Sequence, residues 1–410
     1  MAALVRQAAS LTNLNTGFIL LVGLIALAVA FQVSLAGAVR STRPQLALTV
    51  APFDARARAK LGSQLVVSNE SRPAAQLLAE DAIRRDLLMP EALRVLAQSL
   101  DTGSPKSQEL ARGLMLQSQR LSRRDVMTQM WLVNYYGRQG EPEQLVQHLD
   151  IVLRTSETSR AGVFPLLISA ASDPRGEEAV VETISKRPNW SDSFAIFAAS
   201  SGTDLEFSTR ITRLLMDPAK AENKEFYNRL MQRLVNAGRY AAAWDVYSSP
   251  GLVAKSELSA PARGMAFEVP EGGGPFDWLL TQESELWASR ERVQGRDGFV
   301  LKLAAYNGRS GEVARQYVHL KPGDHTVRVR MGDIPTDRFE RPELRIECAS
   351  TTEEALLARL VPDKAGSGPM DLSTKFSVPS GCNFQRLTVQ IAGEGSLNDP
   401  LPWIDDLRFE

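Results

Sequence analysis

Ser248-Ser249-Pro250-Gly251, followed by Ala260-Pro261, Pro270 and Gly272-Gly273-Gly274-Pro275, separates two hydrophobic rhythms in this sequence. None of these stretches sustains a helix. Upstream, apolar residues recur at helical spacing, as in Ala75, Leu78, Ala79 and Ala82 on one face, and Leu93, Leu96, Ala97 and Leu100 on another. Downstream they alternate with a period of two. Phe299, Leu301 and Leu303 form one set, followed by Val327, Val329 and Met331, then Leu344, Ile346 and Cys348, then Leu387, Val389 and Ile391. The change of period predicts a multidomain α and β protein whose helices precede its strands.

A third pattern lies at the N-terminus. Residues 17–37 contain only Gln32 and Ser34 as clearly polar side chains. About 20 apolar residues at roughly 1.5 Å each match a hydrocarbon core of about 30 Å. The expectation is a transmembrane helix over 17–37 behind a tail of residues 1–16. The alternative is a cleaved secretory signal, because Ser34-Leu35-Ala36 is an acceptable small-x-small site. Arg6 lies on one side of the run, and Arg40 and Arg43 on the other, so charge does not fix the orientation. Residues 38–54, with Pro44 and Pro52, read as a short extended spacer.

The helical stretch, 55–249, is internally periodic. Segments centred on Leu110-Ala111, Leu145 and Ala179 recur about every 34 residues, and Tyr227 to Tyr247 reads as another copy. In that copy Asn236-Ala237-Gly238-Arg239 makes the turn, and Ala241-Ala242-Ala243-Trp244 opens the returning helix. Gly140 occupies the same turn position earlier, where a left-handed backbone favours glycine. The spacing and the G-x-x-x-x-A pattern resemble the tetratricopeptide repeat family, with the copy near Gly176 and Ala179 out of register. That resemblance implies a groove for a protein partner. Trp131, Tyr135, Tyr136 and Trp190 are candidates to line it, packing being the competing role.

With 47 basic and 48 acidic residues the chain offers nucleic acid no general attraction. Three histidines, and no G-x-S-x-G, H-E-x-x-H, Walker or G-x-G-x-x-G motif, point away from catalysis. Gly308-Arg309-Ser310-Gly311 reads as a hairpin turn. Cys348 and Cys382 are the only cysteines, and their spacing suits a disulfide better than a metal site, two unpaired core thiols being the alternative.

After a linker at 250–261, residues 262–410 resemble galactose-binding-like jelly rolls and carbohydrate-binding modules. The resemblance rests on Phe267-Glu268, Phe276-Asp277-Trp278, Gln316-Tyr317-Val318-His319-Leu320-Lys321-Pro322-Gly323 and Trp403-Ile404-Asp405-Asp406-Leu407-Arg408-Phe409. It implies a C-terminal β-sandwich of jelly-roll type. It also implies that Glu268, Asp405 and Asp406 could hold a structural calcium ion, a solvated acidic pair being the competing reading. Sugar binding would call on aromatic platforms. Trp278, Trp287, Tyr306, Tyr317 and Trp403 are the candidates, with Trp287, Tyr306 and Tyr317 the ligand-binding set and Trp287 foremost. No cofactor beyond that calcium is expected.

Anchor, repeats and sandwich together suggest a single-pass inner-membrane protein with its bulk in the periplasm. Its expected role is a scaffold or adaptor in assembly or export of surface polysaccharide. Two other readings stand beside it: a carbohydrate-binding accessory, and a β-domain that only caps the solenoid.

Overall fold

The computed structural model describes residues 2–254, 258, 263–269, 272–293, 297–349, 355–393 and 400–410, with side chains from Phe18 onward. The helix-breaking residues Ala260-Pro261 and Pro270 lie outside the described residues. The chain forms two compact units, Met1–Trp190 and Ser191–Glu410.

The first unit is all helical. Helix α1 (Ala2–Val39) runs through the apolar segment without a break, so the helix begins well before residue 17. Phe18–Val39, 22 residues of mean hydropathy 2.6, is long and apolar enough to cross a membrane, and its most apolar stretch is exposed throughout. The segment read as an extended spacer holds a helix instead, α2 (Pro44–Val50). Pro44 sits in its first turn, where a missing N–H costs nothing, so this proline starts a helix rather than preventing one. Ala36, Ala47 and Ala57 pack together where α1, α2 and the next helix meet. Asp54 caps that helix by accepting from the N–H groups of Arg56 (2.9 Å) and Ala57 (3.1 Å).

Helices α3 (Ala55–Leu65), α4 (Arg72–Arg85), α5 (Pro90–Leu100), α6 (Pro105–Leu121), α7 (Val126–Gln139), α8 (Pro142–Thr155), α9 (Arg160–Ala170) and α10 (Pro174–Ser185) complete the unit. Alternate helices open at 55, 90, 126 and 160, a spacing of 34 to 36 residues close to the period read from sequence. Each packs on its neighbour in the chain. Small residues make the contacts close: Ala59, Ala75, Ala79, Ala82, Ala92, Ala97 and Ala111 are wholly buried. Gly140 ends α7 at φ 69°, and the Glu141 N–H returns to the Tyr136 carbonyl at 3.0 Å. Gly176 serves another purpose. It lies in the first turn of α10, where a Cβ would collide with the Ala170 carbonyl.

The second unit opens with α11 (Ser191–Ser201), α12 (Leu205–Leu215), α13 (Ala221–Asn236) and α14 (Tyr240–Tyr247). Gly238 makes the expected left-handed turn between α13 and α14, at φ 71°. The sandwich follows as β1 (Leu279–Leu280), β2 (Leu286–Glu291), β3 (Val300–Ala305), β4 (Arg309–Val318), β5 (Gly323–Gly332), β6 (Glu343–Cys348), β7 (Leu356–Leu360), β8 (Met370–Val378), β9 (Gln385–Gly393) and β10 (Trp403–Phe409). Two five-stranded antiparallel sheets, ordered β1-β4-β9-β6-β7 and β2-β3-β10-β5-β8, form the jelly roll. The alternating residues read from sequence meet in one core: Leu301, Leu303, Val327, Val329, Met331, Leu344, Ile346, Leu387, Val389 and Ile391. Phe299 is the exception. It lies outside this core beneath the guanidinium of Arg290, 4.1 Å from its ring centre. The hairpin turn expected at Gly308-Arg309-Ser310-Gly311 is not formed: the tight turn is at Asn307-Gly308, residues 309–311 already belong to β4, and the turn joins strands of different sheets.

Cys348 and Cys382 are disulfide-bonded, with Cα atoms 5.6 Å apart. The bond ties the end of β6 to the turn that carries the chain from one sheet to the other before β9.

Within this unit α14 is fastened to the sandwich by aromatic rings. Trp244 meets Phe276 (5.1 Å) and His319 (5.3 Å), Tyr247 meets Phe276 (5.1 Å), and Tyr240 covers Tyr317 (5.5 Å). Beneath them Asp277 accepts from Tyr247 Oη (3.4 Å) and Arg263 (3.3 Å). Burial lifts this carboxyl above its ordinary range, against the pull of Arg263 and Tyr247. The glycine run is part of the same seam. Gly273 and Gly274 lie against Asn228 and Met231 of α13, and Asn228 donates to the Gly272 carbonyl at 2.7 Å. Side chains there would hold the segment off the helix, so these glycines serve close approach.

Candidate ligand cleft

One end of the sandwich opens into a cleft of about 700 Å³, a size suited to a small ligand. Its apolar floor comes from strand ends, including Leu303, Ala305 and Ile391. Its polar lining is the loop after β5, which brings Asp333, Thr336, Asp337 and Glu340, together with Ser367 and Tyr306.

Two devices hold that lining. Arg341 donates to four backbone carbonyls, those of Pro335 (3.2 Å), Thr336 (3.1 Å), Pro362 (3.0 Å) and Asp363 (2.7 Å). A guanidinium presents five donors in a fixed fork, so one side chain fastens two loops twenty residues apart. The second device is a backbone pair, Ile334 with Gly366, at 2.8 and 3.2 Å. Asp333 is fixed too. It accepts from the Trp403 indole at 3.0 Å, and that ring lies directly over Gly332, where any Cβ would collide with it.

Three carboxylates around an apolar floor make an acceptor-rich site. Such a lining suits a neutral molecule that carries many hydroxyl donors along one edge and C–H groups along another. On the same loop, between Asp337 and Glu340, Phe339 stands 75% exposed with Arg338 against its ring. Burial raises the Tyr306 phenol above its ordinary pKa, so it is protonated at neutral pH.

The expected site residues are distributed differently. Tyr306 lines the cleft. Tyr317 is covered by Tyr240, and Trp278 and Trp403 are buried. Trp287, half-buried on β2, pairs in register with Ala304 of β3 and is not among the cleft residues.

The three carboxylates expected to hold calcium do not meet. Glu268 accepts from the Phe299 N–H (3.0 Å), Asp405 from the Asp406 N–H (2.7 Å), and Asp406 pairs with Arg330 (3.0 Å). Among the described residues no cluster of three or more such ligands could hold a metal ion. In the helical unit Tyr136 and Trp190 are packing residues, and Trp190 donates to Asp150 at 2.8 Å. Trp131 and Tyr135 stack at 5.5 Å and stay half-exposed.

Asp333, Thr336, Asp337 and Glu340 carried no motif. The available signal was a polar run with Pro335 between two strongly alternating strands, holding one aromatic residue without an apolar partner in phase.

No family model matches the sequence, and no curated protein matches it. Among solved structures, similarity falls on the C-terminal sheets. The enzymatically active domain of tailspike protein 4 from bacteriophage CBA120 is 9% identical, with a TM-score of 0.28, over 37% of this chain and 21% of that one. The CBM22-1 xylan-binding domain from Paenibacillus barcinonensis is 10% identical, with a TM-score of 0.25, over 36% and 90%. A CBM4 domain is 13% identical, with a TM-score of 0.27, over 36% and 97%. Similarity at this level carries no information about a ligand.

Proposed function

We propose that this protein is a membrane-anchored saccharide-binding protein of the cell envelope, with α1 in the bilayer and the cleft holding part of a glycan. The observation that carries the reading is the cleft itself, with its apolar floor and its carboxylate and hydroxyl wall, Phe339 being exposed on the same loop outside the lining. Pyranose rings present C–H faces for such a floor and hydroxyls for such a wall. The three carboxylates disfavour uronate-rich polymers, so neutral or amino sugars are the class proposed. The disulfide supports an oxidising location such as the periplasm. Binding without turnover is proposed, as part of assembly or export of a surface polysaccharide.

The test is calorimetric titration of the full chain in detergent with neutral, amino and acidic oligosaccharides. A neutral or amino sugar should bind, and Asp337→Ala and Phe339→Ala should each weaken it about tenfold or more, a loss of about 1.4 kcal/mol. Both side chains are exposed, so melting should stay unchanged. Failure of every oligosaccharide to bind would overturn the reading, and release of shorter sugars would overturn the absence of turnover.

A second function is favoured by the half-exposed Trp131–Tyr135 stack, backed by Arg112 over Tyr135 and by Glu109 accepting from Tyr135 Oη at 3.3 Å. Aromatic and arginine side chains of this kind anchor protein partners, so the repeats would serve as an adaptor surface. Crosslinking from Trp131 in intact membranes, with no protein captured, would count against it.

A further inference from the structure

We propose that the loop tips beside the end of α1 sit in the headgroup layer of the bilayer, so that the first helices are seated on the membrane surface. The proposal rests on the reading of α1 as a lipid-embedded helix.

Three large apolar side chains are left open to solvent at one end of the α3–α4 pair. Phe53 precedes α3 and is 79% exposed, while Leu87 and Leu88 follow α4 at 74% and 73%. Loop tips in water are ordinarily polar, so adjacent exposed leucines call for a cover. Their position says which one. Leu88 lines a shared hollow of about 510 Å³ with Gly37 and Arg40, the last turn of α1 and its exit. Phe53 lies under the Arg85 guanidinium at 5.6 Å, at the α4 end of the same tip. The end of α1 is fixed there by the Ala36–Ala47–Ala57 contact and by Arg40 with Asp54 at 3.5 Å. The apolar tip thus lies beside the end of the apolar span.

Charge agrees. No acidic residue precedes Asp54 in the chain. Arg40, Arg56 and Lys60 line the hollow beside Leu88 and outnumber its two carboxylates, Asp86 and Glu91; Arg43, Arg56 and Lys60 make no ion pair among the described residues. Exposed apolar side chains beside an excess of basic ones are the composition that binds an anionic lipid surface. The far tip of the same pair supplies a control. Val67 is 85% exposed between α3 and α4, and the 11 residues of α3 put it about 16 Å away.

The experiment places an environment-sensitive fluorophore on the full, oxidised chain at Leu88→Cys, Val67→Cys or Leu27→Cys. The chain is reconstituted in vesicles of phosphatidylethanolamine and phosphatidylglycerol. The probe at residue 88 should emit to the blue of the one at 67 and be quenched several-fold less by aqueous iodide. The probe at residue 27 should be the most protected. Equal quenching at 88 and 67 with protection at 27 overturns the seat and leaves the span standing. Full quenching at 27 overturns the span, and the seat with it. Reversal of Arg43, Arg56 and Lys60 to glutamate should remove protection at 88 while sparing 27. Protection at 88 that survives this reversal would overturn the electrostatic half of the proposal.

Discussion

The two units bury their apolar surface with different side chains at different ranges along the chain. The helical unit packs alanines between neighbouring helices, so most of its contacts join residues within one repeat of each other. The sandwich unit joins β4 to β9 and β5 to β10, strands far apart in sequence, and adds a disulfide and a cluster of aromatic rings. Local packing makes stability a property of each hairpin and its neighbours. Distant pairing makes it a property of the whole sandwich, because no strand is stable until its partners arrive.

The largest effect that separates the units is expected at the disulfide. Cys348 and Cys382 are 34 residues apart, and opening a loop of that length should cost about 3–4 kcal/mol. Replacing both cysteines with serine should lower hydrogen-exchange protection throughout β3–β10 and leave α3–α8 unchanged. Equal loss in both units would break the comparison.

Acid should act in the reverse sense. His148 is buried in the helical unit, stacked on Tyr136 at 5.3 Å with Nδ1 2.8 Å from Gln129 Oε1. Burial pushes its pKa down to about 4, so the folded state holds it neutral. Below the unfolded value of about 6.5 the unfolded chain takes up the proton first. Its contribution to stability is therefore intact above pH 6.5, falls as pH drops, and is lost by about pH 4, for a total of roughly 3 kcal/mol. His148→Gln should flatten this acid limb in the exchange of α7 and α8. An unchanged limb would place the acid sensitivity elsewhere.

The smallest expected effect sharpens the picture of local packing. Gly140→Ala, at φ 69°, should destabilise α7–α8 by about 1 kcal/mol. Gly113→Ala, exposed inside α6 with open space around it, should stabilise its helix by about 0.5–1 kcal/mol. Chemical denaturation of each variant measures both. Effects of the same sign would mean that backbone conformation does not govern these turns.

Sequence reading reached the features that depend on neighbours. The alternation of Val327, Val329 and Met331 needed only a period of two, and Gly140 and Gly238 only a turn at the end of a helix. It missed features that depend on where distant segments meet. Pro44 and Pro52 looked like breakers, yet Pro44 opens α2. Glu268, Asp405 and Asp406 resembled a ligand set, but each finds its own partner in the fold. The cleft was the least legible part, because Arg341 gains meaning only when Thr336 and Asp363 are brought beside it.

The glycine run at 272–274 has a bearing on how this protein could be divided. Its composition advertises a hinge at which a gene might be cut or recombined. In the fold it is a seam, with Asn228 and Met231 against it and Trp244, Tyr247 and Phe276 beside it. A sandwich severed there would carry away Phe276, Tyr317 and Phe384 without the rings that cover them, leaving an exposed apolar surface. The compact unit that keeps these rings together is residues 191–410, its four helices included.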